Sequence, residues 1–386
     1  MNFDPIKFDR RHDHLNLNRQ QNALVLRRLH LDFLLLAGLV FLASIAYLIL
    51  YSAGGQSTEL LVRQTVRLAI AGGAMLAVAQ IPPRLLNRYS PAFYIASVTL
   101  LLAVLVMGEI GKGAQRWLDL GVLRFQPSEF AKVATPMMVA WYLAEHPLPP
   151  RWKQLGVASL LILLPTLMIA KQPDLGTAML VAAAGLAVVF FAGISWRIII
   201  GAGAFMAALL PAIWYKLHDY QRDRIRTFLD PEADPLGKGY HIIQSKIAIG
   251  SGGIFGKGWL NGTQARLDFL PESSTDFIFA VLAEEFGLFG CLTLLLVYLL
   301  IIARCLYIVL EAKNSYSRLL SGSLTLTFFV YVFVNIGMVI GVLPVVGVPL
   351  PLISYGGTSM VTLLAGFGML MSIHTHDKRL LAGNRL

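Results

Sequence analysis

The chain of 386 residues is 56% hydrophobic and only 14% charged, which excludes an ordinary soluble enzyme and indicates a polytopic membrane protein. Its net charge of +10 is accounted for by loops and tails, and no nucleic-acid-binding motif accompanies it. Both cysteines, Cys291 and Cys305, lie in one apolar stretch, so no disulfide framework is indicated. The N-terminal tail lacks the apolar core and cleavage site of a signal peptide, so the first apolar segment is predicted to be a retained anchor.

Ten apolar segments are long enough to cross a bilayer core of about 30 Å, which requires roughly 20 residues of α-helix. They are residues 31–51, 62–80, 91–108, 127–145, 154–170, 176–193, 198–216, 276–303, 319–343 and 357–374. The predicted fold class is all-α. A ten-helix membrane domain over residues 31–376 is expected between a tail at 1–30 and a tail at 377–386.

The distribution of Lys and Arg predicts the orientation of these helices. The two tails and the short connections on their face carry 17 such residues, against six in the opposite short connections. By the positive-inside rule both termini are cytoplasmic. The long loop 217–275, between the seventh and eighth spans, then lies on the outer face.

The Gly-rich stretch GSGGIFGKGWLNG in this loop superficially resembles a phosphate-binding loop. Its spacing does not fit, because Ser251 stands where the first glycine is needed and Gly258 where Ser or Thr is needed. Flexible turns are the favoured interpretation, although Lys246 and Lys257 could still contact an anionic ligand.

Charged residues inside the predicted spans require partners or water, since each costs roughly 2.5–3.5 kcal/mol on insertion scales. Glu129 and Lys132, at i and i+3, could form a structural ion pair or line a substrate cavity. Asp174 could simply cap the sixth helix. Glu284 and Glu285 lie deeper and are interpreted as groups that bond other helices rather than as catalytic acids.

Asp276 stands where a polar outer loop turns into a long apolar helix, in LPESSTDFIFAVLAEEFG. One interpretation is a capping box with Ser273, in which the carboxylate only satisfies the helix start. In a second interpretation Asp276 faces a ligand or a close helix, because Ala280, Ala283 and Gly287 share its helix face and leave room there.

Two further acids of the same loop, Asp268 and Glu272, would form an acidic rim together with Asp276. Carboxylate oxygens are the ligands that hard divalent cations prefer. A cation site is therefore predicted here.

Four motifs together resemble the SEDS family (shape, elongation, division and sporulation). They read RWLDLGVLRFQPSEFAKV, KQPDLGTA, LPESSTDFIFAVLAEEFG and VLPVVGVPLPLISYGGTSM, and the resemblance covers about residues 29–376. The division branch of the family commonly has a Lys in the outer loop where this chain has Val345 and Val346. This departure favours the rod-shape branch.

The resemblance implies a SEDS fold with a periplasmic loop between helices 7 and 8, in the cytoplasmic (inner) membrane. It also implies a peptidoglycan glycosyltransferase that polymerises lipid II into β-1,4-linked strands for cell elongation. The family's essential aspartate falls on Asp276, the expected general base, and its earlier loop acid falls on Asp268. Undecaprenyl pyrophosphate would leave with inversion. A class B penicillin-binding protein, a transpeptidase, is the implied partner within the elongation machinery.

Other residues are expected to support the reaction or bind the substrate. They are Asp268, Glu272, Arg116, Glu129, Lys132, Asp174 and Lys246. Because Arg116, Lys132 and Lys246 are positively charged and are predicted to lie toward the outer side of the membrane, they are expected to stabilise the diphosphate. Asp276 and Asp268 are expected to hold Mg2+ or Mn2+.

Two other functional classes compete with this interpretation. A lipid II flippase or another transporter would also need many helices and buried charges, but the candidate reactive residue lies at the outer surface and no inverted repeat is visible. An assembly platform without chemistry would tolerate Asp276→Ala.

Overall fold

The computed structural model describes residues 29–383, except for residues 108, 112–113, 120–123, 217–218, 236–238, 268 and 271. Its α-helices are α1 Phe33–Ala53, α2 Thr58–Ala79, α3 Pro83–Met107, α4 Pro127–Ala144, α5 Trp152–Lys171, α6 Leu175–Phe191, α7 Trp196–Lys216, α8 Asp219–Leu229, α9 Tyr240–Gly252, α10 Thr263–Arg266, α11 Ile278–Glu311, α12 Ser315–Val339 and α13 Thr358–Gly383. A 3-10 helix, Pro231–Ala233, lies between α8 and α9.

Each of the ten predicted spans falls on one of these helices, which confirms the all-α architecture. Seven of them, α1, α2, α3, α5, α11, α12 and α13, are long and apolar enough to cross a membrane, and α6 and α7 are shorter apolar helices. The count of ten crossings stays a prediction. The last helix continues to Gly383, into the segment 377–386 predicted as a tail.

Helix α4 is the central element of the bundle, although it carries two charged residues. It packs against α3, α5, α6, α12 and α13, and most of its side chains are buried. A helix covered on all sides by protein can hold polar groups that a lipid-facing helix would expose. Large apolar side chains on the outside of the bundle are exposed instead, among them Phe33, Leu160 and Ile200.

A small antiparallel sheet between α3 and α4 was not predicted. Its strands are β1 Glu109–Gly111, β2 Ala114–Asp119 and β3 Arg124–Phe125, with β2 in the middle. Strands of two to six residues are too short for a period of two to stand out in a sequence. The sheet brings Trp117 to the wall of the cavity described below.

Helix α11 is broken at Gly287, whose φ of 61° and ψ of −157° are not helical. The Gly-rich segment 253–258 packs into this break. The amides of Lys257 and Gly258 donate to the carbonyls of Glu284 and Glu285 at 3.0 and 2.9 Å. In return, Leu288 and Phe289 donate to residues 253 and 254 at 3.0 and 3.2 Å. The first part of α11, residues 278–286, is therefore a separate short helix.

The glycines of this segment permit close backbone packing, which differs from the flexible turns predicted for them. A Cβ on Gly256 would lie 2.1 Å from the carbonyl oxygen of Glu285, and one on Gly252 would lie 2.0 Å from that of Ala283. Two members of the predicted small-residue face, Ala283 and Gly287, thus meet the end of α9 and the segment after it. Of the two predicted occupants, a ligand or a close helix, the second is observed.

At the opposite end of the bundle a charged cluster joins three helices. Asp32 caps α1 by accepting from the Leu35 amide at 2.9 Å, and it also accepts from Arg304 Nε of α11 at 3.1 Å. His374 Nε2 of α13 lies 3.3 Å from the same carboxylate. The start of the first helix and the end of the last helix therefore lie at the same end of the bundle.

Candidate active site

A polar cavity of about 510 Å³ lies among α4, α6, α12, the turn before α11 and the segment that leads into α13. Its lining includes Trp117, Gln126, Glu129, Lys132, Asp174, Thr177, Asp276, Tyr331, Gly347, Gly357, Thr358 and Ser359. Four of the residues singled out in the sequence, Asp276, Glu129, Lys132 and Asp174, are thus brought together. The cavity also includes the first turns of α6 and α13, whose backbone amides carry partial positive charge.

Asp276 lies in the turn immediately before α11 and is half-buried. The N-cap of α11 is Phe277, which makes no side-chain capping bond, and the Ser273 hydroxyl donates to the carbonyl of Ala53 at 3.1 Å. The capping-box interpretation of Asp276 is therefore wrong. The carboxylate lines the cavity, where a Cβ added to Gly347 would lie 3.5 Å from its Oδ2 atom.

Glu129 and Lys132 form an ion pair of 2.8 Å within α4, and both side chains are less than a tenth exposed. Both side chains also line the cavity. The pair therefore has both of the predicted roles, that of a structural ion pair and that of a cavity lining. The Lys132 ammonium also lies 5.5 Å from the centre of the Tyr331 ring. The second carboxylate oxygen of Glu129 is buried and accepts no hydrogen bond from the described residues.

Asp174 also combines two roles that the sequence left separate. Its Oδ1 atom accepts from the Thr177 amide at 3.2 Å, which confirms the predicted cap of α6. Its Oδ2 atom accepts from Gln126 Nε2 at 3.3 Å, and both residues line the cavity. The bond ties the start of α6 to the start of α4.

Two of the remaining predicted residues, Glu272 and Lys246, do not line the cavity. Glu272 is exposed and accepts from the Thr275 hydroxyl at 2.7 Å. Lys246 is exposed on α9, where its Cε atom would lie 2.4 Å from a Cβ on Gly341, and it is not among the cavity-lining residues. Asp268 lies outside the described residues, and the same holds for the side chain of Arg116 in β2.

The predicted cation site depends on Asp268. Within the part of the chain that the structure describes, no group of three or more His, Cys, Asp and Glu side chains could hold a metal ion. Asp276 faces the cavity, whereas Glu272 bonds its own turn. A single carboxylate is a poor site for Mg2+ without further oxygen ligands. The described residues by themselves therefore do not form a cation site.

Lys257 and the two deep glutamates form a second polar cluster, behind Asp276. Glu284 accepts from Lys257 Nζ at 2.6 Å, from the Thr263 amide and hydroxyl, each at 2.9 Å, and from the Gln264 amide at 3.1 Å. Glu285 accepts from the Ser52 hydroxyl of α1. These contacts agree with the predicted structural role and leave Lys257 engaged with protein.

Two cavity residues, Gln126 and Tyr331, were not predicted. A weak signal existed for Gln126, which directly precedes Pro127 at the start of a helix. Tyr331 lies in an apolar run, where an aromatic residue is most simply a core residue. At the rim, the Arg67 guanidinium lies 4.2 Å from the centre of the Tyr355 ring, close to Gly357.

The sequence model of the cell cycle protein family that comprises FtsW, RodA and SpoVE matches residues 25–379. The chain belongs to this family. The SEDS resemblance of the four motifs is thereby confirmed, and the chain is a multi-pass membrane protein.

Identities to individual relatives support the rod-shape branch of the SEDS family, since a RodA-type protein, MrdB, is more similar to this chain than an FtsW protein is. The chain is 55% identical to the peptidoglycan glycosyltransferase MrdB of Escherichia coli K12 over 92% of this chain and 96% of that one. Identity to the peptidoglycan glycosyltransferase RodA of Treponema pallidum is 31%, over 90% and 98% of the two chains. A probable peptidoglycan glycosyltransferase FtsW of Geobacter metallireducens is 34% identical.

Solved structures share the fold. A chain of a peptidoglycan synthase complex, described as coordinating polymerization and crosslinking, superposes with a TM-score of 0.78 at 35% identity, over 90% of this chain and 98% of that one. The crystal structure of the rod shape determining protein RodA of Thermus thermophilus superposes with a TM-score of 0.67 at 31% identity, over 89% and 96%.

Proposed function

We propose that this SEDS protein is a peptidoglycan glycosyltransferase that polymerises lipid II into β-1,4-linked strands for cell elongation. The observation that carries the proposal is the Asp276 carboxylate in a polar cavity that also holds the buried Lys132 ammonium. A base and a cation in one partly enclosed cavity suit a reaction that moves a proton from one group and develops negative charge on another. A relative that is 55% identical, MrdB, is named a peptidoglycan glycosyltransferase.

In the proposed reaction Asp276 is the general base. It takes the proton of the 4-hydroxyl of the GlcNAc of lipid II as that oxygen bonds to the anomeric carbon of the growing strand. The bond from that carbon to the undecaprenyl diphosphate oxygen breaks, and the leaving group carries away the electron pair. Because an α-linked diphosphate becomes a β-1,4 bond, the displacement inverts and requires no covalent intermediate with the enzyme.

Charge on the departing diphosphate needs positive partners in the same cavity. Lys132 supplies one, although its ion pair with Glu129 partly neutralises it. The first turn of α13 supplies partial positive charge at Ser359, which also lines the cavity, whereas the start of α6 is already capped by the Asp174 carboxylate. Arg116, predicted to act here, remains a candidate from its charge. A bound Mg2+ or Mn2+ would neutralise diphosphate oxygens.

The same arrangement supports the proposed placement in the membrane. Ser273, in the turn that carries Asp276, contacts Ala53 at the end of α1, whereas Asp32 and His374 meet at the other end of the bundle. With cytoplasmic termini, as the Lys and Arg distribution predicts, Asp276 lies at the periplasmic side of the inner membrane. A class B penicillin-binding protein is the proposed partner, in line with the synthase complex that shares the fold.

The test is lipid II polymerisation by the purified protein with its partner in detergent, with Asp276→Asn beside a matched control. We expect Asp276→Asn to lower the rate by roughly 10²–10⁴-fold, the usual contribution of a general base. Glu59→Gln changes an exposed acid that does not line the cavity and should leave the rate near that of the wild type.

Near-normal polymerisation by Asp276→Asn would remove Asp276 from the mechanism and favour an assembly platform. Wild-type polymer in detergent, where no second compartment exists, would exclude a lipid II flippase as the complete explanation. No polymer from the wild-type complex would contradict the proposed activity itself.

A further inference from the structure

We propose that Asn335 is a positioning residue that holds the Asp276 carboxylate at a set place against the opposite wall of the cavity. The inference rests on the proposed function of Asp276 as general base. Asn335 lies near the end of α12 and is completely buried. It does not line the cavity, so it would act through Asp276 rather than on substrate.

The side-chain amide of Asn335 joins two backbone segments that are distant in sequence. Its Nδ2 atom donates to the carbonyl of Asp276 at 2.9 Å and to the carbonyl of Val348 at 2.7 Å. Both amide hydrogens are therefore used. The opposite orientation of the amide would place its oxygen against two carbonyl oxygens, so the hydrogen-bond pattern settles which atom is nitrogen.

The neighbouring carbonyls of the same turn are bound in the same way. The Ser274 carbonyl accepts from the Tyr355 amide at 2.8 Å, and the Thr275 carbonyl accepts from the Ser354 hydroxyl at 2.5 Å. Three consecutive carbonyls, at residues 274 to 276, are thus each held by a donor from outside the turn. Asn335 binds the last of them, which belongs to Asp276 itself.

Val348 belongs to the cavity wall that faces the carboxylate. The adjacent Gly347 has a φ of +79°, and a Cβ there would lie 3.5 Å from Asp276 Oδ2. The side-chain amide of Asn335 therefore sets the distance between the backbone of Asp276 and the backbone of Val348 in the cavity wall. Misplacing a reacting group by about 1 Å can cost on the order of 10²-fold in rate.

The burial of Asn335 supports a specific role rather than incidental polarity. A buried amide is costly unless it is hydrogen-bonded, and its Oδ1 atom accepts no hydrogen bond from the described residues. A leucine, which has the same branching but is larger, would remove that cost, but it would leave two buried carbonyls without their donor. The hydrogen bonds of Asn335 to the described residues are therefore made by its Nδ2 donor and not by its Oδ1 acceptor.

The experiment compares Asn335→Asp and Asn335→Leu with the wild type in the complex with its partner. Asn335→Asp keeps the shape but directs a carboxylate at two carbonyls, and Asn335→Leu removes both donors. We expect kcat for lipid II polymerisation to fall about 10- to 100-fold per folded molecule. KM for lipid II should stay within about twofold, because Asn335 lines no part of the cavity.

Asn314→Asp is the matched control, since it makes the same substitution at the exposed start of the same helix. It should leave kcat and KM unchanged. Folded protein is quantified by size-exclusion chromatography and by retention of the partner. A kcat within twofold of the wild type in either Asn335 variant would overturn the proposal, as would failure of both to fold, which would show a structural role only.

Asp276→Asn in the same assay separates the two proposals. If it loses activity while the Asn335 variants retain kcat, only the positioning role fails. If it polymerises like the wild type, the proposed function of Asp276 fails first.

Discussion

Replacing Glu284 by Gln should destabilise the protein more than any exchange of an exposed acid. The carboxylate is fully buried and accepts four hydrogen bonds or more, from Lys257, Thr263 and Gln264. Glutamine has nearly the same volume, so no cavity forms. Its amide has one acceptor atom instead of two and no charge, and its NH2 group would face donors.

The magnitude follows from the environment of the two partners. Removing one member of a buried ion pair costs about 3–5 kcal/mol. The Lys257 side chain is 29% exposed and can turn toward water, which reduces that cost to about 1 kcal/mol, the value for an exposed pair. Loss of the bonds from the backbone amides of Thr263 and Gln264 to a charged acceptor adds to it, at about 1.5–3 kcal/mol for a bond of this kind. We therefore expect roughly 2–4 kcal/mol in total.

Glu59→Gln provides a matched control, because Glu59 pairs with Arg63 where both side chains are more than 60% exposed. Exposed pairs contribute about 0–1 kcal/mol. Both variants are unfolded by denaturant in the same detergent, and amide hydrogen exchange is followed over residues 253–267. Glu284→Gln should lose free energy of unfolding and protection in this segment. Equal stability of the two variants would refute the view that Glu284 anchors the Gly-rich segment.

The Glu129 and Lys132 pair predicts different outcomes for single and double exchanges. Lys132→Met leaves a buried carboxylate and should destabilise by about 3–5 kcal/mol, whereas Glu129→Gln with Lys132→Met should recover much of that stability. Polymerisation should remain low in the double variant if Lys132 also serves the substrate, and recovered activity would leave it a purely structural role. A chelator should abolish polymerisation and Mg2+ or Mn2+ should restore it, and Asp268→Asn should raise the cation concentration required. Polymerisation that is unaffected by the chelator would remove the cation from the proposal.

Several features could be predicted from the sequence because they depend on local properties of the chain. A span in lipid must satisfy its own backbone, so a run of about 20 apolar residues becomes a helix in almost any tertiary context. All ten predicted spans accordingly fall on helices. The cap formed by Asp174 and the Glu129–Lys132 pair were predictable for the same reason, since their partners lie three residues away.

Asp276 could be singled out because small residues share its helix face, two further acids precede it, and it falls on the essential aspartate of the family that the chain resembles. The residues that contact Asp276 could not be predicted from the sequence. Ser273 has the spacing of a capping box, yet its hydroxyl bonds Ala53, more than 200 positions earlier in the chain. Lys246 has the positive charge that a diphosphate requires and is predicted to lie on the outer side of the membrane. Its charge alone does not show whether its side chain points toward the cavity.

The way in which Asp276 is held depends on contacts between distant segments of the chain. Asn335 lies 59 residues after it, and Lys257 lies 27 residues before Glu284. Neither contact leaves a periodic signal, because hydrophobic periodicity reports which face of a helix is buried and not what buries it. The helices, the family and the position of the acid could all be derived from the amino-acid sequence. The fold determined which donors bind the turn, because these depend on how distant segments pack.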